Sequence, residues 1–233
     1  MEFITGGVCA PKGFQAAGIA AEIKYRDRND MAMLYAEAPC TAAGVFTKNV
    51  VKAAPVLWDK EIVKKGAPVH AVVMNAGVAN ACTGEQGKRD CAETAKEAAD
   101  ALDLAPEQVL VASTGVIGMH LPMERVKAGI RRLVPVLEAS QQAADAAAKA
   151  IITTDTHQKE VAVSFELDGK PCRIGAMAKG SGMIHPDMGT MLCFITTDAN
   201  ISHDMLQKAL LGVTRETFNM ISVDGDTSTT TRH

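Results

Sequence analysis

Aromatic side chains make up only 4% of the 233 residues, so a core here has to be filled by aliphatic groups and methionine, and the 47% apolar content supplies them. A chain of this length can bury one large core or two small ones. No uncharged apolar run approaches the roughly 20 residues that span a bilayer. The first twenty residues hold Glu2, Lys12 and four glycines, without the basic and then apolar segments of a secretory signal. Positive charge is not in surplus either. The formal charge is -3, the pI is near 6.1, and Lys and Arg are scattered, which argues against a nucleic-acid partner. The six cysteines form no CxxC pair and the six histidines no HExxH, so neither a zinc site nor a dense disulfide scaffold is expected. These absences describe a cytoplasmic protein with reduced, mostly core thiols, no metal and no membrane partner. Neither GxGxxG nor GxxxxGK[ST] occurs, which disfavours NAD and ATP sites.

What is present alternates between strand and helix patterns. Residues 31 to 38 and 43 to 47 are apolar enough for buried strands, with a turn at Pro39 and Cys40 between them. His70 to Asn75 is a buried strand leading into a glycine loop that ends at Gly84, and Gly87 to Leu102 has helical composition. The same order returns with a strand at Val109 to Ser113, a loop at Thr114 to Gly118 and a helix at Met123 to Leu137. An Ala-rich helix follows from Glu138 to Ile151. Val161 to Glu166 and Cys172 to Met177 read as a hairpin about Asp168-Gly169. Met191 to Thr197 reads as a strand, and His203 to Phe218 as a helix with Ser202 at its N-cap. The expected class is α/β or α+β, a layered sandwich.

The most informative run is Lys179-Gly-Ser-Gly-Met-Ile-His-Pro-Asp-Met-Gly189-Thr190-Met-Leu-Cys-Phe-Ile195. A flexible polar segment precedes a Thr that opens an apolar strand. A Thr freed at Gly189/Thr190 would carry an α-amine of pKa about 7.7 to 8.0, able to act as base for its own hydroxyl. The plainer reading is loop punctuation by glycine and proline before a β-branched strand residue. Attack on a carbonyl also needs donors for the developing oxyanion. Ser113-Thr114-Gly115, at a strand end where Gly115 offers no side chain, suits that role or is simply a strand-to-helix turn. Lys179 is a cation available for a substrate carboxylate or a solvated surface lysine. Thr153-Thr-Asp-Thr156 ends a helix or lines a pocket with hydroxyls.

Seven blocks carry a resemblance: Gly6 to Phe14, Asn75 to Gly84, Ser113 to Gly118, Thr153 to Thr156, Met177 to Met183, Met188 to Leu192 and Val223 to Thr229. In this order, over nearly the whole chain, they resemble the ornithine acetyltransferase family of arginine biosynthesis. The resemblance implies a layered αββα sandwich like that of N-terminal-nucleophile hydrolases and a precursor that cuts itself at Gly189/Thr190. The pieces would be an α-chain region, 1–189, and the start of a β-chain region, 190–233, associating as a heterotetramer of two α and two β chains. Thr190 would take the acetyl group of N-acetylornithine and pass it to glutamate. Thr114 and Gly115 would form the oxyanion hole, and Thr153, Lys179 and Thr190 would contact substrate. No cofactor is implied, although acetyl-CoA serves some members as co-substrate.

The chain departs from the family in several places. Gly189 stands where Ala is usual, and His185 and Asp187 where Ala and Asn are common. After Thr229 the family continues with Asn-Asp, whereas this chain has Thr230-Thr231-Arg232-His233. The expectation is therefore a truncated product, lacking a substrate-binding Glu and C-terminal contacts of its relatives. Competing readings are an N-terminal-nucleophile aminopeptidase of similar fold and an inactive remnant.

Overall fold

From Met31 to Ala36 every residue but Tyr35 is buried, and the strand they begin is covered on both faces. The computed structural model describes residues 1–184 and 191–224. Strand β3 (Met31–Cys40) lies between β2 (Phe14–Ile19) and β4 (Val69–Val78), antiparallel to both. Strand β5 (Val109–Val116) closes the other edge, parallel to β4. A second antiparallel sheet has the order β1 (Glu2–Ile4), β6 (Lys159–Leu167), β7 (Lys170–Lys179), β8 (Leu192–Thr197).

The period of two sorts the core. Met31, Met33, Val73, Val109 and Val111 face helices α1 (Ala54–Lys65), α2 (Gly84–Leu102) and α3 (Met123–Leu133). Ala32, Leu34, Met74 and Ala112 face the other way, onto helix α4 (Gln141–Ala150) and onto Met177 and Leu192 of the second sheet. The result is the layered α+β sandwich expected from the sequence. Helix α5 (His203–Glu216) attaches beside α1, where His203 Nε2 lies 3.0 Å from the Val63 carbonyl and Gln207 pairs with Gly44. Among the described residues no helix is long and apolar enough to cross a membrane.

Several expectations need correction. Residues 43 to 47 form no strand, and the chain does not turn at Pro39 and Cys40. Instead β3 runs through them with a break in register between Tyr35 and Cys40, a place where a strand tolerates proline. The helix expected to Leu137 stops at Leu133 and tightens into a single 3-10 turn at Val134–Val136, since Pro135 has no N–H and crowds the preceding turn. Helix α4 starts only at Gln141, where the Ser140 Oγ accepts from the Ala143 amide at 3.1 Å. Ser202 stands at the N-cap of α5, but its side chain makes no capping bond. Strands β1 and β2 and helix α1 had no counterpart in the sequence reading. The hairpin was read correctly, with Asp168 at φ 49° and Gly169 at φ 73° in its turn. Of the six cysteines, all free, only Cys91 and Cys172 are buried, so most are not core thiols.

Candidate active site

Strand β5 is a sheet edge, and its outward backbone groups can be followed residue by residue. The Val109 carbonyl accepts from Trp58 Nε1 at 3.0 Å, and the Val111 amide donates to Asp59 Oδ1 at 2.9 Å, both from α1. The Val116 carbonyl turns the other way and accepts from Ala79. Backbone groups alternate along a strand, so the Gly115 amide points outward from the sheet edge while that of Thr114 faces β4. The strand continues to Val116, so the loop expected from Thr114 onward is a correction. Gly115 has φ +132° opposite Gly77 at +107°, and a Cβ on Gly115 would lie 2.2 Å from the Gly77 carbonyl carbon. Only glycine permits that approach.

The same alternation sends the Thr114 side chain between the two sheets and that of Ser113 toward the helices. Ser113 Oγ is buried there and bonds to nothing among the described residues, so its hydroxyl does not belong to the site. Lys179, at the end of β7, reaches across from the second sheet and donates through Nζ to Thr114 Oγ1 at 3.2 Å. It is buried, with 4% of its surface exposed, and so is not the solvated lysine that its residue type favours. Burial pushes the Lys179 ammonium below its usual range; Asp155 opposes that shift and Lys159 adds to it.

Thr153 is drawn to the same corner through Asp155. The Asp155 Oδ1 accepts from Lys159 Nζ at 2.6 Å and from the Gly180 amide at 2.8 Å, and its Oδ2 accepts from the Thr153 amide at 3.4 Å. Burial alone would raise this carboxyl, but the bonds from Lys159 and Gly180 and the charges of Lys179 and Lys159 hold it below its ordinary range. Arg28 stacks 4.4 Å from the Tyr25 ring centroid and donates to the carbonyls of Ile152 and Thr153. Thr114, Gly115, Thr153 and Lys179 are thus gathered at one end of the sandwich. Gly189 and Thr190 lie outside the described residues. Asp155 and Arg28 were missed as functional groups: Asp155 sat in plain view in Thr153-Thr-Asp-Thr156, a run read only for its hydroxyls.

Two further features border the site. Asp224 accepts from the Met183 and Ile184 amides at 2.5 and 2.9 Å, which ties the start of the Asp-Gly-Asp-Thr block to the segment following β7. A cavity of about 540 Å³ lies at the other end of the sandwich, where Tyr35, His70 and Phe194 line it, and it contains none of the four gathered residues. The chemistry of the donors, rather than cavity size, marks the candidate site.

Comparison with known proteins identifies the family of the chain. The model of the ArgJ family matches residues 15–231. The arginine biosynthesis bifunctional protein ArgJ of Symbiobacterium thermophilum is 54% identical over 231 residues, which are 98% of this chain and 57% of that protein. The chain thus spans about half the length of the curated relatives it matches. The crystal structure of the arginine biosynthesis bifunctional protein from Bacillus halodurans superposes with a TM-score of 0.75 at 38% identity, covering 82% of this chain and 98% of that one. An ornithine acetyltransferase from Mycobacterium tuberculosis, solved in complex with ornithine, has a TM-score of 0.74 at 41% identity and covers 82% of this chain and 99% of its own.

Proposed function

The chain belongs to the ArgJ family, and from that premise we propose that it carries the first part of a self-cleaving acetyltransferase that moves an acetyl group from N-acetylornithine to glutamate. The observation that carries the reading is the Lys179–Thr114 bond across the two sheets. An ammonium only donates, so the Thr114 oxygen must accept and its own hydrogen is left to point elsewhere. Beside it the Gly115 amide faces outward. A hydroxyl and an amide on adjacent residues make a pair of donors for an oxyanion, where loss of one such donor costs about 2.7 to 4 kcal/mol of barrier.

Thr190 is the nucleophile of this scheme. Two residues further along the chain, Leu192 is the ladder partner of Lys179. After the cut at Gly189/Thr190, the new α-amine takes the Thr190 hydroxyl proton and Oγ attacks the acetyl carbon. The oxyanion collapses, ornithine leaves with a proton, and glutamate then attacks the acetyl-Thr ester to give N-acetylglutamate. Thr153 and Lys179 contact the substrate. No cofactor takes part, and acetyl-CoA would enter only as another acetyl donor.

Chain lengths support the cut. Because 231 residues are 57% of the Symbiobacterium protein, that protein is about 405 residues long. The Bacillus chain is nearly accounted for by 82% of these 233 residues, or about 191, close to the 189 that precede Thr190. The ladder supports continued association, since β8 follows the cut and pairs with β7 from Ile174↔Thr197 to Lys179↔Leu192. Assembly as two copies of each piece belongs to the same proposal.

The test is the intact mass of fresh protein beside Thr190→Ala, followed by acetyl transfer from N-acetylornithine to glutamate. Two fragments meeting at Gly189/Thr190, absent from the variant, are expected. A single uncut mass in both would sink the self-cleaving reading and leave a remnant that folds without activating itself.

A further inference from the structure

We propose that Asp155 is a positioning residue of this site: its carboxylate fixes Thr153, Lys159 and Gly180 relative to one another and, through Gly180, the adjoining Lys179, for which it is the counter-charge. The inference rests on the reading of Thr153 and Lys179 as substrate contacts. The Asp155 side chain is fully buried, and a buried carboxylate is costly unless several donors satisfy it. Its donors come from three separate places: the loop after α4 through the Thr153 amide, the first residue of β6 through Lys159 Nζ, and the end of β7 through the Gly180 amide. A carboxylate that only pinned the fold would satisfy these bonds and have no further effect. Asp155 has a second neighbour, because the Lys179 ammonium feels it as an opposite charge and feels Lys159 as a like charge.

The consequence reaches Thr114. While Lys179 is an ammonium it can only donate, and the Thr114 hydroxyl hydrogen stays available to a substrate oxygen. A neutral Lys179 amine has a lone pair, and the Thr114 hydroxyl can then donate into it. The oxyanion donor is withdrawn without any change of fold. Asp155 opposes this as an opposite charge acting on Lys179, and Lys159, half-exposed and bonded to the Asp155 carboxylate, works in the opposite sense by sharing the negative charge.

The decisive measurement is the titration of the Lys179 side chain by NMR in the whole chain, with lysine labelled at Cε and the signal assigned by Lys179→Met. Asp155→Asn is expected to lower the Lys179 midpoint by at least one pH unit, a tenfold loss of proton affinity. Lys159→Gln is expected to raise it, because it removes a like charge and frees Asp155. Lys159 is exposed enough that this second variant keeps the question open to test if Asp155→Asn does not fold. An unchanged Lys179 midpoint in Asp155→Asn, or an unchanged or lowered one in Lys159→Gln, would overturn the proposal. Adding N-acetylornithine to the same samples tests the underlying reading separately. A Lys179 signal that does not move at saturating ligand would remove Lys179 as a substrate contact while leaving the titration result standing.

Discussion

Glu160 at the start of β6 and Asp145 on α4 are bridged by one amide, since Gln141 Nε2 donates to Glu160 Oε1 at 2.8 Å and to Asp145 Oδ1 at 2.5 Å. Burial first, and then the neighbouring Asp145 carboxylate, pushes Glu160 up to about 7. Bonds from Glu160 and Gln141 hold Asp145 below its usual range. Below about 7 the pair therefore carries one proton, which resides on Glu160. Between about 4.5 and about 7 the folded chain binds more protons at Glu160 than the unfolded chain, so stability falls as pH rises through that window and levels off above it. Glu160→Gln should flatten this part of the profile, a difference on the order of 1 kcal/mol after allowance for solvent screening of a partly exposed group. Thermal midpoints at pH 5 and pH 8 decide it: a Gln variant with the same slope as the parent would refute the assignment. No sequence pattern marks this pair, because its members meet only where β6 passes α4.

At the scale of elements, α4 rests on β2 through an absent side chain. A Cβ on Gly18 would lie 2.1 Å from the Ala146 carbonyl oxygen, where helix backbone meets strand backbone and neither can yield. Gly18→Ala should therefore destabilise the chain by about 1 to 3 kcal/mol in urea denaturation. Gly212, inside α5 with open space where its Cβ would be, provides the contrast. There Gly212→Ala should stabilise by about 0.5 to 1 kcal/mol. Equal midpoints for the two variants would contradict the close packing of α4. The same region shows why some elements were legible and others were not. The hairpin at Asp168-Gly169 is a local signal, complete within four residues. Strand β2, Phe14-Gln-Ala-Ala-Gly-Ile19, is poor in β-formers and becomes a strand because β3 offers it a hydrogen-bonding edge and α4 a cover.

At the scale of the molecule, the outer face of the second sheet stands open among the described residues. Phe3 is 81% exposed, Ile195 49% and Val161 45%. The registers Phe3↔Val163, Val161↔Ala176 and Ala176↔Ile195 put them on one face. A contiguous apolar face of this kind drives association. Sedimentation of the 233-residue chain should show concentration-dependent self-association, weakened in a Phe3→Ser, Ile195→Ser double variant. Identical behaviour of parent and variant would exclude this face as the cause.

The order of strands and helices around β4 and β5, the layered class and the identity of Thr114, Gly115, Thr153 and Lys179 as candidates were all readable from the chain itself. They depend on local hydrophobic period and on ordered blocks of residues, both of which are properties of neighbours in sequence. Tertiary structure alone decided that Lys179 is buried against Thr114, that Gly115 turns its amide to an open sheet edge, and that Asp155 rather than its flanking threonines organises the corner. Those outcomes depend on contacts between residues 25 to 65 positions apart, and charge, burial and strand parity act on such groups only once the two sheets have been brought face to face.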